Sequence, residues 1–216
     1  MYPQLEISQL ATTLFSFLLV MVVDASRAGK SCRSQACGSS LQRSWRFTRL
    51  LHKESDDLLK IYKTSQGDLS ELFCKMSMDN VPDPDISGLD PSARIQSMYS
   101  HIKTFLPHLQ RVTEQQTDLQ IFSNPLLSKL SDTYSRTSSL GSQISCIYQM
   151  LFPNSPLLEP AGEPTPLPLS QNIFQQKVYG CVVLKRLKQF LSNATREIKA
   201  LKHQTCTKGP KPNIPS

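Results

Sequence analysis

Apolar residues recur every three or four positions in four long stretches, separated by segments in which that repeat fails. In the first stretch, Leu41, Trp45, Thr48, Leu51, Ser55, Leu58 and Tyr62 form a stripe that Phe47, Leu50, Leu59 and Ile61 widen. The spacing predicts a helix over about residues 41–66, closed at Gln66-Gly67, where glycine supplies the left-handed turn that stops a helix. A second helix over about 91–116 opens at Asp90-Pro91, a capping acid followed by a proline at the first helical position. Its buried stripe is Ile95, Met98, Ile102, Phe105, Leu109 and Val112, and Pro107 inside that pattern is expected to bend or break it. A third helix, about 125–152, follows Ser123-Asn124-Pro125 and carries Leu127, Leu130, Tyr134, Thr137, Ile144, Ile147, Tyr148 and Leu151. The fourth, about 172–203, repeats Ile173, Cys181, Leu184, Leu187, Leu191, Ala194, Ile198 and Leu201, with cations mostly between them. Phe174 and Lys177 stand three apart in its first turns, off the main stripe, where a ring and an amine share one patch.

The connections set the topology. Residues 68–89 lose the periodicity, and residues 153–171 are proline-rich and read as an extended, mobile spacer. An extended chain advances about 3.3 Å per residue against about 1.5 Å in a helix, so each connection can run back along a whole helix and join parallel neighbours. The link near 117–124 is short and favours an antiparallel turn. The expected fold is all-α, a long-chain four-helix bundle with up-up-down-down topology and two long crossover loops.

Charge and cysteine content place this bundle outside the cell. Leu10–Val23 is an uncharged apolar run, too short for a comfortable membrane span and suited to the core of a signal peptide. Residues 1–28 are therefore expected to be removed, with cleavage after Ala28 or Ala25, leaving a domain over 29–207 and a flexible tail over 208–216. That removal takes away Arg27, Glu6 and Asp24, so the formal charge of +7 rises by one. A basic secreted chain points to sulfated glycans such as heparan sulfate, or to an acidic receptor face, and not to nucleic acid. No second run is long enough for membrane insertion.

All six cysteines lie after residue 28, and an even number in a secreted chain favours disulfides. The topology sorts them by end. Cys74 lies just past the first helix and Cys181 near the start of the fourth, so these two can pair at one end. Cys32, Cys37, Cys146 and Cys206 gather at the other end, with three pairings open. The histidines lack metal-ligand spacing, and no metal or cofactor is expected. Asn193-Ala-Thr195 is the one glycosylation sequon, usable only if Asn193 faces water.

Three fragments carry a resemblance. Phe174-Gln-Gln-Lys177 followed by Val-Tyr-Gly-Cys181 resembles the start of the fourth helix in the leukaemia inhibitory factor and oncostatin M branch of the interleukin-6 cytokine family. Leu58–Gly67 resembles the end of their first helix, and Cys146–Leu151 the end of a third; the likeness spans about residues 32–203. It implies a secreted, monomeric ligand that assembles cell-surface receptors and triggers JAK-STAT signalling. The Phe-x-x-Lys pair, here Phe174 and Lys177, anchors a receptor of the leukaemia inhibitory factor receptor or oncostatin M receptor type in that family. Exposed faces of the first and third helices engage the shared subunit glycoprotein 130. The outward positions here include Arg46, Arg49, Lys53 and Lys60 on the first helix, and Lys129, Arg136 and Gln143 on the third. The resemblance also favours Cys74–Cys181 and a bridge from the N-terminal pair to Cys146, leading to Cys37–Cys146 beside Cys32–Cys206. Cys206 has no obvious counterpart in the family, and Gln149 stands where a relative has a cysteine.

Catalysis finds no support in the chain. It holds no Gly-x-Ser-x-Gly elbow, no phosphate-binding glycine loop, no His-Glu-x-x-His pair and no convergent acid and base. The alternative to a cytokine is a secreted helical carrier of lipid or another small ligand, since clamped amphipathic helices can enclose an apolar cavity.

Overall fold

The computed structural model describes residues 37–119, 125–160 and 172–205. Helix α1 spans Cys37–Gln66, the single turn α2 Ser70–Phe73, α3 Pro91–Leu119, α4 Pro125–Leu151 and α5 Ile173–Thr205. No strand occurs among the described residues. The helices start and stop where local chemistry dictates. Gly67 adopts φ 88° just past α1, and the Asp90 carboxylate accepts from the Ala93 amide at 2.9 Å at the head of α3.

The four long helices form a ring in which α1 packs on α5 and α4, and α3 packs on the same two. Every adjacent pair runs antiparallel. Gln42 meets Lys202 while Tyr62 meets Lys177 between α1 and α5, and Arg94 pairs with Glu197 between α3 and α5. Between α1 and α4, Ser44 bonds Gln143 and Arg136 pairs with Glu54. The diagonal helices α1 and α3 therefore run parallel, and Gln66 and Gln116 join their C-terminal ends at 2.9 Å. This is the up-up-down-down bundle, disulfide-bonded through Cys74–Cys181 at a Cα separation of 5.1 Å. The core contains fully buried Tyr62, Phe105, Tyr179 and Phe190, together with Leu58, Ile102 and Leu109. Burying each such side chain is worth about 1.5–3 kcal/mol, so the bundle rests mainly on apolar area.

Several expectations need correction. Pro107 does not break α3, which continues through it. The carbonyl that loses its helical partner there belongs to Lys103, an exposed residue whose backbone water can reach. Leu50, Tyr134 and Ile173 were assigned to buried stripes and are 47%, 37% and 59% exposed. On α4 the inward row runs Leu130, Thr133, Thr137, Leu140, Ile144, with Tyr134 beside it at the edge of the buried face; Thr137 can be buried because its hydroxyl donates to the Thr133 carbonyl. On α5 the buried face is wider than the stripe, taking in Val178, Tyr179, Val182, Val183 and Phe190, since this helix contacts α1, α2 and α3 together.

Each crossover also holds structure that periodicity missed. The first contains α2, whose Phe73 is buried. In the second, residues 152–160 are not a free spacer but lie along α3. Gln96 there bonds both the amide and the carbonyl of Leu158, and Tyr99 donates to Glu159 at 2.6 Å. The expected signal peptide (1–28), the remainder of the second crossover (161–171), the tail (208–216), Cys32 and Cys206 lie outside the described residues.

Candidate functional site

The first turn of α5 is built by its own sequence. Asn172 caps it, its side-chain oxygen accepting from the Gln175 amide at 2.9 Å while the Gln175 side chain accepts from the Asn172 amide at 3.1 Å. This reciprocal capping box satisfies two of the donors that a helix start leaves unpaired and fixes where residue 174 points. Phe174 stands in that turn half-exposed, at 50%. Its ring meets Phe73 of α2 edge to face, with centroids 5.3 Å apart and planes at 86°, an arrangement favoured by the ring quadrupoles.

Two further contacts hold the turn to the bundle. Cys74, the residue after α2, is bonded to Cys181, and its carbonyl accepts from the Lys185 ammonium at 3.0 Å. From α1, the buried Tyr62 hydroxyl donates to the Lys177 carbonyl at 3.1 Å. Gly180 makes that approach possible, because a Cβ there would lie 2.2 Å from the Tyr62 oxygen. Burial holds the Tyr62 phenol well above its ordinary pKa, so it remains a donor.

Lys177 is half-buried, and among the described residues no ion pair involves its ammonium. Leu69, Leu72 and Met76, on α2 and the segment flanking it, and Ile173 and Phe174, on the first turn of α5, are all exposed, and Phe73 and Phe174 join the two segments. Exposed apolar side chains with the Lys177 ammonium on the same turn as Phe174 suit an interface in which a ring enters a desolvated pocket while an ammonium meets acceptors at its rim. The structure thus brings Phe174 and Lys177 together on one turn, and adds Phe73, Leu69 and Leu72, which the loss of periodicity over 68–89 concealed. The capping residues Asn172 and Gln175 were also missed, although Asn-x-x-Gln ahead of an apolar run is a legible signal.

The other sequence candidates are scattered. Arg46, Arg49 and Lys53 are exposed on the outer face of α1, and Lys129 is exposed on α4. Lys60 is neutralised by Asp56 and Asp57, Arg136 by Glu54 at 3.1 Å, and the Gln143 side-chain oxygen accepts from Ser44 at 2.9 Å. Cys146 is disulfide-bonded, and the expected Cys37–Cys146 and Cys32–Cys206 pairings involve side chains outside the described ones. Asn193 is half-buried, its amide nitrogen donating to the Pro84 carbonyl at 3.0 Å and to Asp85 at 3.3 Å. Among the described residues, no group of three His, Cys, Asp or Glu is placed to hold a metal ion, and no helix is long and apolar enough to cross a membrane.

The family model described as LIF / OSM family matches residues 41–198 of the chain, from the first turns of α1 to near the end of α5. No individual curated protein matches it.

Proposed function

The chain belongs to the LIF / OSM family, cytokines of the interleukin-6 type, and from that membership we propose that it is a secreted ligand whose α5 first turn docks a receptor of the leukaemia inhibitory factor receptor or oncostatin M receptor type. In this reading residues 1–28 are the signal peptide, 29–207 the cytokine domain and 208–216 a tail. Phe174 is the anchor that fills a receptor pocket, and Lys177 supplies the charge at its rim. A second face, formed by α1 and α4, engages the shared subunit glycoprotein 130, and the resulting assembly triggers JAK-STAT signalling.

The observation that carries the reading is the half-exposed Phe174 ring. It stands on a turn that a capping box, a disulfide and the Tyr62 hydroxyl all hold in place. Exposing a large ring costs solubility, while fixing it in advance reduces the ordering cost of binding; the combination favours recognition over packing. The test is to apply the purified protein to receptor-bearing cells and follow tyrosine phosphorylation of the signal transducer. Rapid phosphorylation at low concentration supports the proposal; a protein that co-purifies with lipid and elicits no response is a carrier instead.

A further inference from the structure

The cations of α5 are largely engaged inside the bundle. Lys185 and Arg186 donate to the carbonyls of Cys74 and Val81, Lys188 pairs with Asp56, Arg196 bonds Asn193, and Lys202 donates to Gln42. Lys185, Arg186, Lys188 and Lys202 hold the first crossover and α1 against the helix, while Arg196 bonds within α5, so the basic pattern of α5 is mostly structural. Lys177 and Lys199 are the α5 lysines whose ammonium has neither an ion pair nor a hydrogen bond among the described residues, and a denser set of cations without an ion pair lies on α1.

On the outer face of α1, Arg46, Arg49, Leu50, His52 and Lys53 line an open groove of about 380 Å³. Among the described residues, no ion pair neutralises Arg46, Arg49 or Lys53, and all three are exposed. The Arg49 guanidinium lies over the Trp45 ring, 5.6 Å from its centroid, which steadies the side chain while leaving its in-plane donors available. The nearby acids are already occupied: Glu54 by Arg136, Asp56 by Lys60 and Lys188.

We infer that this stripe binds a sulfated polysaccharide chain. Positions 46, 49 and 53 lie on one side of the helix and span about 10 Å, so two guanidinium forks and an ammonium face outward in a row. Guanidinium groups meet sulfate-like oxyanions through paired N–H donors, and a row of them suits a polyanion with repeated charges. Leu50 is the exposed apolar side chain in the groove lining, 47% exposed, and the one aromatic beside it, Trp45, is half-buried under the Arg49 guanidinium, so the face the groove offers is mainly cationic. A glycan therefore fits these three cations better than the glycoprotein 130 contact that the resemblance implied for them, and the α1 share of the receptor face proposed above lies outside them. Its biological relevance rests on the extracellular location proposed above, but its chemistry does not.

The test uses the full secreted chain on immobilised heparin and on desulfated heparin. The variant Arg46→Ala/Arg49→Ala/Lys53→Ala is compared with Arg196→Ala/Lys199→Ala, and circular dichroism verifies the fold of each. The α1 variant is expected to bind heparin about tenfold more weakly or worse, with the slope of log affinity against log salt reduced by about one per cation removed. The α5 variant is expected to stay near wild type, and desulfated heparin to retain neither. Unchanged heparin binding by the α1 variant, or a larger loss in the α5 variant, overturns the inference. So does an α1 variant that holds heparin normally but no longer engages the second receptor subunit, which would make the stripe a protein contact. Heparin affinity is read without receptors, so its failure is separable from a failure of the cytokine reading.

Discussion

The Tyr62 hydroxyl on α1 reaches across the bundle to the Lys177 carbonyl on α5, 3.1 Å away, over a glycine whose missing side chain leaves the space. The fragments Leu58–Gly67 and Val178–Cys181 are thus two halves of one contact. Gly180→Ala forces its methyl into the Tyr62 ring end, and overpacking of this kind typically costs about 1–3 kcal/mol. Tyr62→Phe alone loses the bond to the Lys177 carbonyl and the longer one accepted from Gln116 at 3.4 Å, together about 1–2 kcal/mol. Because the hydroxyl is the nearest obstacle, the double variant is expected to lose less stability than the two singles added together. Denaturant midpoints of the four proteins check this, and simple additivity would contradict the contact.

Cys74–Cys181 closes a sequence separation of 107 residues and ties α5 to the residue after α2. Replacing both with serine is expected to lower stability by about 2–5 kcal/mol. It also loosens Phe73 beneath Phe174, so receptor affinity falls even under conditions where the bundle stays folded. Thermal denaturation and binding at a temperature well below the transition separate the two effects.

Asn193 lies in the sequon, but its amide nitrogen is engaged by Pro84 and Asp85 of the first crossover. A glycan on that nitrogen would displace the crossover from α5. The secreted protein is therefore expected to carry no glycan at Asn193, as intact mass before and after glycosidase treatment would report. Asn193→Ala should raise hydrogen exchange over residues 81–86 and shift the intact mass only by the side-chain difference, with no glycan lost.

His108 is buried, with its Nδ1 2.7 Å from the Tyr179 hydroxyl, and burial lowers its pKa from 6.5 to about 4. The folded value lies below the unfolded one, so the unfolded chain takes the proton first. Stability from this residue is complete above about pH 6.5 and is lost as the pH falls toward about 4, by an amount on the order of a few kcal/mol. Asp56, held at about 2 by Lys188 and Lys60, contributes stability that is present above its ordinary value of 3.8 and lost only as the pH falls from there toward about 2. Urea midpoints are therefore expected to fall between about pH 6.5 and 4.5, and His108→Gln to flatten that slope.

Much of this was legible in the chain. Helix number, order and approximate ends follow from the 3.6-residue repeat, and loop length alone implied the parallel diagonals that the Gln66–Gln116 contact displays. The pairing of Cys74 with Cys181 followed from which end of the bundle each cysteine occupies. Periodicity failed where burial is not set by a repeating face. A four-residue helix is too short to repeat, and the strap at Leu158 and Glu159 is held by Gln96 and Tyr99, polar contacts between residues far apart in sequence that no periodic pattern marks. The use of α5 cations as internal staples was equally invisible, because their partners are backbone carbonyls and distant side chains. Gly180 was part of the quoted motif, but its reason depends on Tyr62, far away in sequence.

The central claim is that the pinned first turn of α5 is the receptor anchor, and Phe174→Ala/Lys177→Ala tests it most directly. The variant should keep its helical circular dichroism and the Cys74–Cys181 bridge, since Phe174 is half-exposed and Lys177 has no ion pair among the described residues. Its affinity for a receptor ectodomain of the leukaemia inhibitory factor receptor or oncostatin M receptor type should fall by about thirtyfold or more, the loss of about 2 kcal/mol expected for a hot spot. A folded variant that binds and signals like the parent would contradict the account.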